Sequence, residues 1–159
     1  MAMLTAENIT KTFDTGDTVI TVLKDLSITV EAGEMTAIIG ASGSGKTTLL
    51  QILGTLATPT EGEVYYEGKS LTRKSPQEIA IFRNESLGFI FQFHHLLPDF
   101  TTLENVMMPA LIAGRKRKEM IRPAEELLEQ MELDHRLQHK VSELSGGEQQ
   151  RTALARALI

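Results

Sequence analysis

The sequence predicts an α/β fold on three observations: strand-like runs crowd its first third, helix-start signals crowd the remainder, and strand alternates with helix around residues 35–55 and 75–105. The chain has 159 residues, 42% hydrophobic and 23% charged, enough to bury one sizeable core. Taken in order, Leu4–Phe13 and Val19–Val30 read as strands around the turn Asp14-Thr15-Gly16-Asp17, the second broken near Lys24-Asp25. Met35–Ile39 reads as a strand after Glu31-Ala32-Gly33-Glu34, and Gly62–Glu67 as another that ends at Gly68. Ser75-Pro76-Gln77-Glu78 combines an N-cap hydroxyl, a proline at the first helical position and a glutamate three residues past the cap, which together satisfy orphan amides at a helix start. Thr101-Thr102-Leu103-Glu104 offers a second such box, and Leu87–Phe91 between them is a short apolar run that reads as a buried strand. Ala124, Leu127, Leu128 and Met131 form one apolar stripe of a helix lying between Gly114 and Leu133-Asp134. A last helix opens near Gly147 and runs to the chain end.

Composition also excludes functions. Sixteen Lys and Arg against 21 Asp and Glu, a net charge of −5, argue against a protein that binds nucleic acid by broad phosphate neutralisation. The absence of cysteine rules out a disulfide framework, a thiolate zinc site, an iron–sulfur cluster and a cysteine nucleophile. Val106–Gly114, the longest stretch without strongly polar residues, falls far short of the ~20 residues that span a bilayer. The N-terminal stretch lacks the basic start and apolar core of a secretory signal, so the expected location is cytoplasmic.

Met35–Ile39 leads into Gly40, Ala41, Ser42, Gly43, Ser44, Gly45, Lys46 and Thr47, and these into Thr48–Leu53, which is the strand, glycine loop and helix of a P-loop. Glycines at 40, 43 and 45 let backbone amides converge on phosphate oxygens without side-chain obstruction and with positive φ accessible. The helix that starts near Lys46 adds its dipole and free amides. Lys46 supplies a mobile charge for the β- and γ-phosphates, and the Thr47 hydroxyl is placed to ligate Mg²⁺. A P-loop alone does not choose among kinases, GTPases, motors and transport ATPases.

Leu144-Ser145-Gly146-Gly147-Glu148-Gln149, followed by Gln150 and Arg151, sets an N-cap serine before two glycines at a helix start, again with exposed amides suited to an anion. Taken alone it also reads as an ordinary helix cap. About a hundred residues after the P-loop, however, it resembles the signature motif of an ATP-binding cassette (ABC) ATPase, and Gln92 at the end of Leu87–Phe91 resembles that family's Q-loop glutamine. The resemblance runs the length of the chain. It implies a P-loop core with an antiparallel β subdomain at the N-terminus and a helical insertion from about Ser75 to Val141: residues 1–74 form the β subdomain and P-loop core, 75–141 the helical subdomain, and 142–159 the signature and its helix.

It further implies ATP and Mg²⁺ as ligands, with Phe13 stacked on adenine, Gln92 joining Mg²⁺ and sensing the γ-phosphate, and Ser145, Gly146 and Gly147 of a second copy closing over the nucleotide. Phe13 also reads as a strand-end core aromatic, and Gln92 as a strand-end amide satisfied by backbone. The family continues after the signature with the Walker B carboxylates and a switch histidine. His94, His95, His135 and His139 all precede the signature, so the C-terminal part of the core is expected to be missing and this polypeptide to be nearly inactive. In the family the Walker B and switch strands lie between the P-loop strand and the strand that ends at Gln92, so unpaired edges and exposed apolar faces are expected.

Phe91-Gln92-Phe93-His94-His95-Leu96-Leu97-Pro98-Asp99-Phe100, with Glu104-Asn105-Val106 beyond, is similar to the lipoprotein-releasing branch of the family, whose wider form is shared with macrolide exporters and a cell-division ATPase. The implied function is an energy-coupling subunit on the cytoplasmic face of a bacterial inner membrane. Its partners are a second copy and membrane-spanning subunits, one of which docks a short helix on the apolar segment after Gln92. The alternatives are a related exporter, a cell-division complex, or a catalytically incomplete nucleotide-binding fragment. The segment after Gln92 also reads as a cap on the core beneath it. Two histidines alone do not make a metal site, so neither pair is read as one, and Met107-Met108 with Leu111 read as core. Arg115-Lys116-Arg117-Lys118 reads as a solvated run, with anionic lipid headgroups as the alternative contact.

Overall fold

Two long antiparallel strands, β1 (Ala2–Asp14) and β2 (Val19–Glu31), meet at a turn where the Thr15 amide and hydroxyl both donate to the Thr18 carbonyl and the Gly16 amide donates to Asp14 Oδ1. The computed structural model describes residues 2–159 and divides at Ala80–Ile81 into two units. In the first unit the strand order is β2-β1-β3-β4, with β3 (Glu61–Tyr66) against β1 and the two-residue β4 (Lys69–Ser70) at the edge. The break expected near Lys24-Asp25 is a bulge inside one continuous strand. Asn8 and Asp25 face each other there at φ 52° and 46°, joined by an Asn8 Nδ2 to Asp25 Oδ1 hydrogen bond of 2.9 Å. Gly62 is required beside it, because a Cβ at its φ of 92° would lie 2.4 Å from the Glu7 carbonyl oxygen. Helix α1 (Lys46–Leu53) buries Leu49, Ile52 and Leu53, and its cap residue Gly45 lies so close to Val22 and Leu23 of β2 that a Cβ would come within 3.1 Å of both. Helix α2 (Pro76–Ser86) starts as its sequence requires: the Ser75 amide and hydroxyl donate to Glu78 Oε2, and the Glu78 amide donates back to Ser75 Oγ.

Two predicted strands are not formed. Met35–Ile39 and Leu87–Phe91 are irregular, with Met35 98%, Ile39 90% and Ile90 50% exposed. A strand exists only in a ladder that satisfies its amides and carbonyls, and among the described residues nothing pairs with either segment. Met35, Ile39 and Ile90 are the exposed large apolar residues there, while Ile38, Leu87, Phe89 and Phe91 are half-buried.

The second unit is helical: α3 (Thr102–Ile112), α4 (Arg117–Gln130) and α5 (Gly146–Leu158), with single 3-10 turns at Asp134–Arg136 and Val141–Glu143. Its core joins Leu103, Val106 and Met107 of α3 to Ala124 and Leu128 of α4, Leu133, and Ala155 of α5. Met107, Leu128 and Leu133 are wholly buried, each contributing about 1.5–3 kcal/mol of transfer free energy. Thr101 begins α3 with a complete capping box to Glu104, whose carboxyl is held below its ordinary range by the Thr101 amide first and then by Arg117. The amides of Thr102 and Leu103, left free by helix geometry, donate to the carbonyls of His139 and Leu137. Gly88 packs against the end of α5, where a Cβ would sit 2.5 Å from the Ala157 carbonyl oxygen.

Candidate functional site

The first unit carries a helix start prepared for an anion. Gly40, Gly43 and Gly45 adopt φ of 158°, 77° and 86°, the last two in the left-handed region that a side chain disfavours. Gly45 is the N-cap of α1 and provides no side-chain cap, whereas the first turns of α2, α3 and α5 are closed by Ser75, Thr101 and Ser145. The first turn of α1 also lacks an acidic residue, while α2, α3, α4 and α5 carry Glu78, Glu104, Glu119 and Glu148 there. The amide-rich, positive end of the dipole is therefore left without its usual internal neutralisation. Lys46 Nζ folds back over the loop, donating to the carbonyls of Gly40 at 3.0 Å and Ala41 at 2.6 Å. Ala41, Ser42, Gly43, Ser44 and Thr47 are not buried, and a Cβ at Gly43 would meet open space. This donor set, several amides, three hydroxyls and one cation without a carboxylate, fits a polyphosphate and its counter-cation.

Phe13 lies next to the end of β1, opposite Ile20, and is 44% exposed, with Lys11 Nζ 5.2 Å from its ring centroid. That exposure argues against the core-aromatic reading. Gln92 lies in the second unit, exposed in an irregular segment that continues through Phe93, Leu97 and Phe100, which are 75%, 37% and 39% exposed. His94 is half-buried in the same segment.

Ser145, Gly146 and Gly147 are exposed at the start of α5. Ser145 Oγ accepts the Glu148 amide, and the Ser145 amide donates to Glu148 Oε2 at 2.7 Å. The serine amide and hydroxyl are thus both spent on the Glu148 carboxyl, leaving the amides of Gly146 and Gly147 for an external anion. Glu148 also takes a 2.9 Å hydrogen bond from Arg136 Nε. The Ser145 amide, then the Ser145 side chain, then Arg136 hold its carboxyl down from the ordinary 4.5 to about 2. A carboxyl depressed on folding stabilises the structure fully above its ordinary range, and that stabilisation is lost as pH falls from about 4.5 towards 2. Hydrogen exchange at the Ser145 amide, which the Glu148 carboxylate holds, corrected for its intrinsic pH dependence, is expected to stay flat above about pH 5 and rise across that window, with the rise absent in Glu148→Gln. A carboxyl titrating near 4.5 by NMR would refute the assignment.

The sequence did not single out three side chains that organise the second unit. Asn105 is wholly buried, Arg156 reaches the segment after Gln92, and Arg136 links Glu148 to His139 Nε2 at 3.1 Å. Only Asn105 left a trace, as a polar residue on an otherwise apolar helix face between Leu103 and Val106-Met107. Among the described residues no three His, Asp or Glu come together around a metal position. Arg115–Lys118 are all exposed, and Arg117 pairs with Glu104 at 3.0 Å.

The family model for ABC transporter matches residues 23–159. The lipoprotein-releasing system ATP-binding protein LolD of Desulfotalea psychrophila is 61% identical over 159 residues, covering 100% of this chain and 71% of that protein. Its counterpart in Geobacter metallireducens is 55% identical over 158 residues, covering 99% of this chain and 70% of that protein. Among solved structures, a bacterial ABC transporter cassette in dimeric form gives a TM-score of 0.91 at 41% identity, covering 98% of this chain and 69% of that one. A dimeric post-hydrolysis state of the same cassette, bound to ADP and Pi, gives 0.91 at 40% identity with the same coverage.

Proposed function

Because the chain belongs to the ABC transporter family, we propose that it is the ATP-binding, energy-coupling subunit of a bacterial transporter that releases lipoproteins from the inner membrane. The observation that carries this reading is the first turn of α1, which alone among the α-helices of the described residues has neither a capping side chain nor an acidic residue and is overhung by Lys46. Amides of Gly40–Thr48 cradle the phosphates, Lys46 exchanges its two carbonyl partners for β- and γ-phosphate oxygens, and Phe13 stacks on adenine. Thr47 and Gln92 are the residues that would hold Mg²⁺, which when bound neutralises phosphate charge. Ser145, Gly146 and Gly147 of a second copy face the same nucleotide, and the dimeric state of the solved cassettes supports that arrangement. Residues 1–74, 75–141 and 142–159 then serve as β subdomain with P-loop core, helical subdomain, and signature with its helix.

No helix among the described residues is long and apolar enough to cross a membrane. Membrane attachment in this reading falls to partner subunits, with this subunit peripheral on the cytoplasmic face and Phe93, His94, Leu96, Leu97 and Phe100 receiving a short helix of a membrane-spanning subunit. The 159-residue polypeptide alone is expected to bind Mg-ATP yet turn it over at no more than a trace rate, because it contains the phosphate loop without the Walker B acids and switch histidine that the family uses. Calorimetry with Mg-ATP and a phosphate-release assay on residues 1–159 test both halves. Absence of nucleotide binding sinks the subunit reading, and robust Lys46-dependent release sinks the assignment of catalysis to residues outside this polypeptide.

A further inference from the structure

The segment after Gln92 has no regular structure of its own, yet side chains of two helices fasten its backbone. Asn105 of α3, wholly buried, accepts the Leu97 amide at 2.7 Å on Oδ1 and spreads its two N–H donors over the carbonyls of Leu97, Phe100 and Thr101 at 3.1, 3.3 and 3.0 Å. Arg156 of α5 forks onto the preceding stretch, Nη1 donating to the His95 carbonyl at 2.8 Å and Nη2 to the His94 carbonyl at 2.7 Å. Burial lowers the arginine's pKa. Between the fastenings His95 stands at φ 48°, in the left-handed region that non-glycine residues seldom adopt. Its ring meets Phe91 edge-on at 5.0 Å, and Phe91 stacks on Phe89 at 5.4 Å. An amide whose hydrogen-bonding groups are spent on loop backbone is poorly explained as filling for a helix interface, where an apolar residue would pack without cost.

We infer that Asn105 is a positioning residue that, together with Arg156, holds residues 93–100 in a single conformation, so that Phe93, Leu97 and Phe100 form a ready-made face for the membrane-spanning subunit. The inference rests on the docking role proposed above and adds that the loop does not fold on contact. A partner meeting a preformed face loses no affinity to ordering it, whereas an unfastened loop returns that cost to every encounter.

The experiment compares Asn105→Asp, Arg156→Lys and Leu97→Glu with wild type in the full-length protein. The Asn105→Asp variant keeps an acceptor for the Leu97 amide but turns a carboxylate towards three carbonyl oxygens. The Arg156→Lys variant keeps the charge but cannot fork, and it leaves α3 untouched should the first fail to fold. Hydrogen exchange at Leu97 and Phe100 is read with the protein free, and capture by co-expressed membrane-spanning subunits is read separately, each beside Mg-ATP affinity and melting temperature. The expected result is faster exchange at those amides and at least about tenfold weaker capture in both fastening variants, with Mg-ATP affinity unchanged. Unchanged exchange overturns the inference, as does capture that falls only with the folded fraction. If Leu97→Glu fails to assemble while both fastening variants assemble like wild type, this inference alone falls. If Leu97→Glu still assembles, the docking role falls and this inference with it.

Discussion

Replacing Lys46 by alanine is expected to abolish tight Mg-ATP binding, lowering affinity by about a hundredfold or more, because charge-assisted hydrogen bonds to phosphate oxygens are each worth about 1.5–3 kcal/mol. Lys46 is the only cation in the loop from Gly40 to Thr48, and no acidic residue in the first turn of α1 opposes it. The helix itself should survive, since alanine is the best helix former and α1 is anchored by buried Leu49, Ile52 and Leu53 rather than by the lysine. Removing the Nζ contacts to Gly40 and Ala41 loosens the loop as well, so both the charge and the preorganisation are lost together. Calorimetry against wild type, with circular dichroism to confirm that the helices persist, decides the matter. Unchanged affinity would count decisively against the phosphate-loop assignment.

Changing Leu97 to glutamate in the full-length protein is expected to eliminate co-purification with the membrane-spanning subunits and lipoprotein release while leaving ATP affinity intact. The Leu97 backbone is held by Asn105 regardless of its side chain, and the residue is 37% exposed, so the carboxylate can be accommodated without dismantling the loop. Pressed against an apolar helix, the same carboxylate must shed water without a partner, a cost of several kcal/mol and about a hundredfold or more in association. Continued assembly would overturn docking at this segment. A protein that unfolds would instead assign Leu97 to the core beneath the loop.

Both predictions draw on features that sequence reasoning could reach, because their determinants lie within a few residues of one another. The glycines at 40, 43 and 45 and the lysine at 46 act through one turn of backbone, and the caps at Ser75, Thr101 and Ser145 each join residues three apart. The hairpin strands and the apolar stripe of α4 follow likewise from local periodicity. Met35–Ile39 and Leu87–Phe91 have the composition of strands and are not strands, because a ladder requires a partner that composition cannot supply.

The phosphate loop, the helix starts and the N-terminal antiparallel strands are each legible in contiguous residues, and the family is legible in the order and spacing of the phosphate loop, Gln92 and the signature. Packing alone shows that the break at Lys24-Asp25 is a bulge paired with Asn8, that Gly62 must be glycine, and that Asn105 and Arg156 fasten the segment after Gln92. Arg156 meets a carbonyl 62 positions earlier, and Gly62 lies against the backbone of Glu7. A buried polar side chain takes its role from whichever backbone groups folding brings within about 3 Å of it, and that proximity is a property of the packed chain, with no counterpart in local residue order.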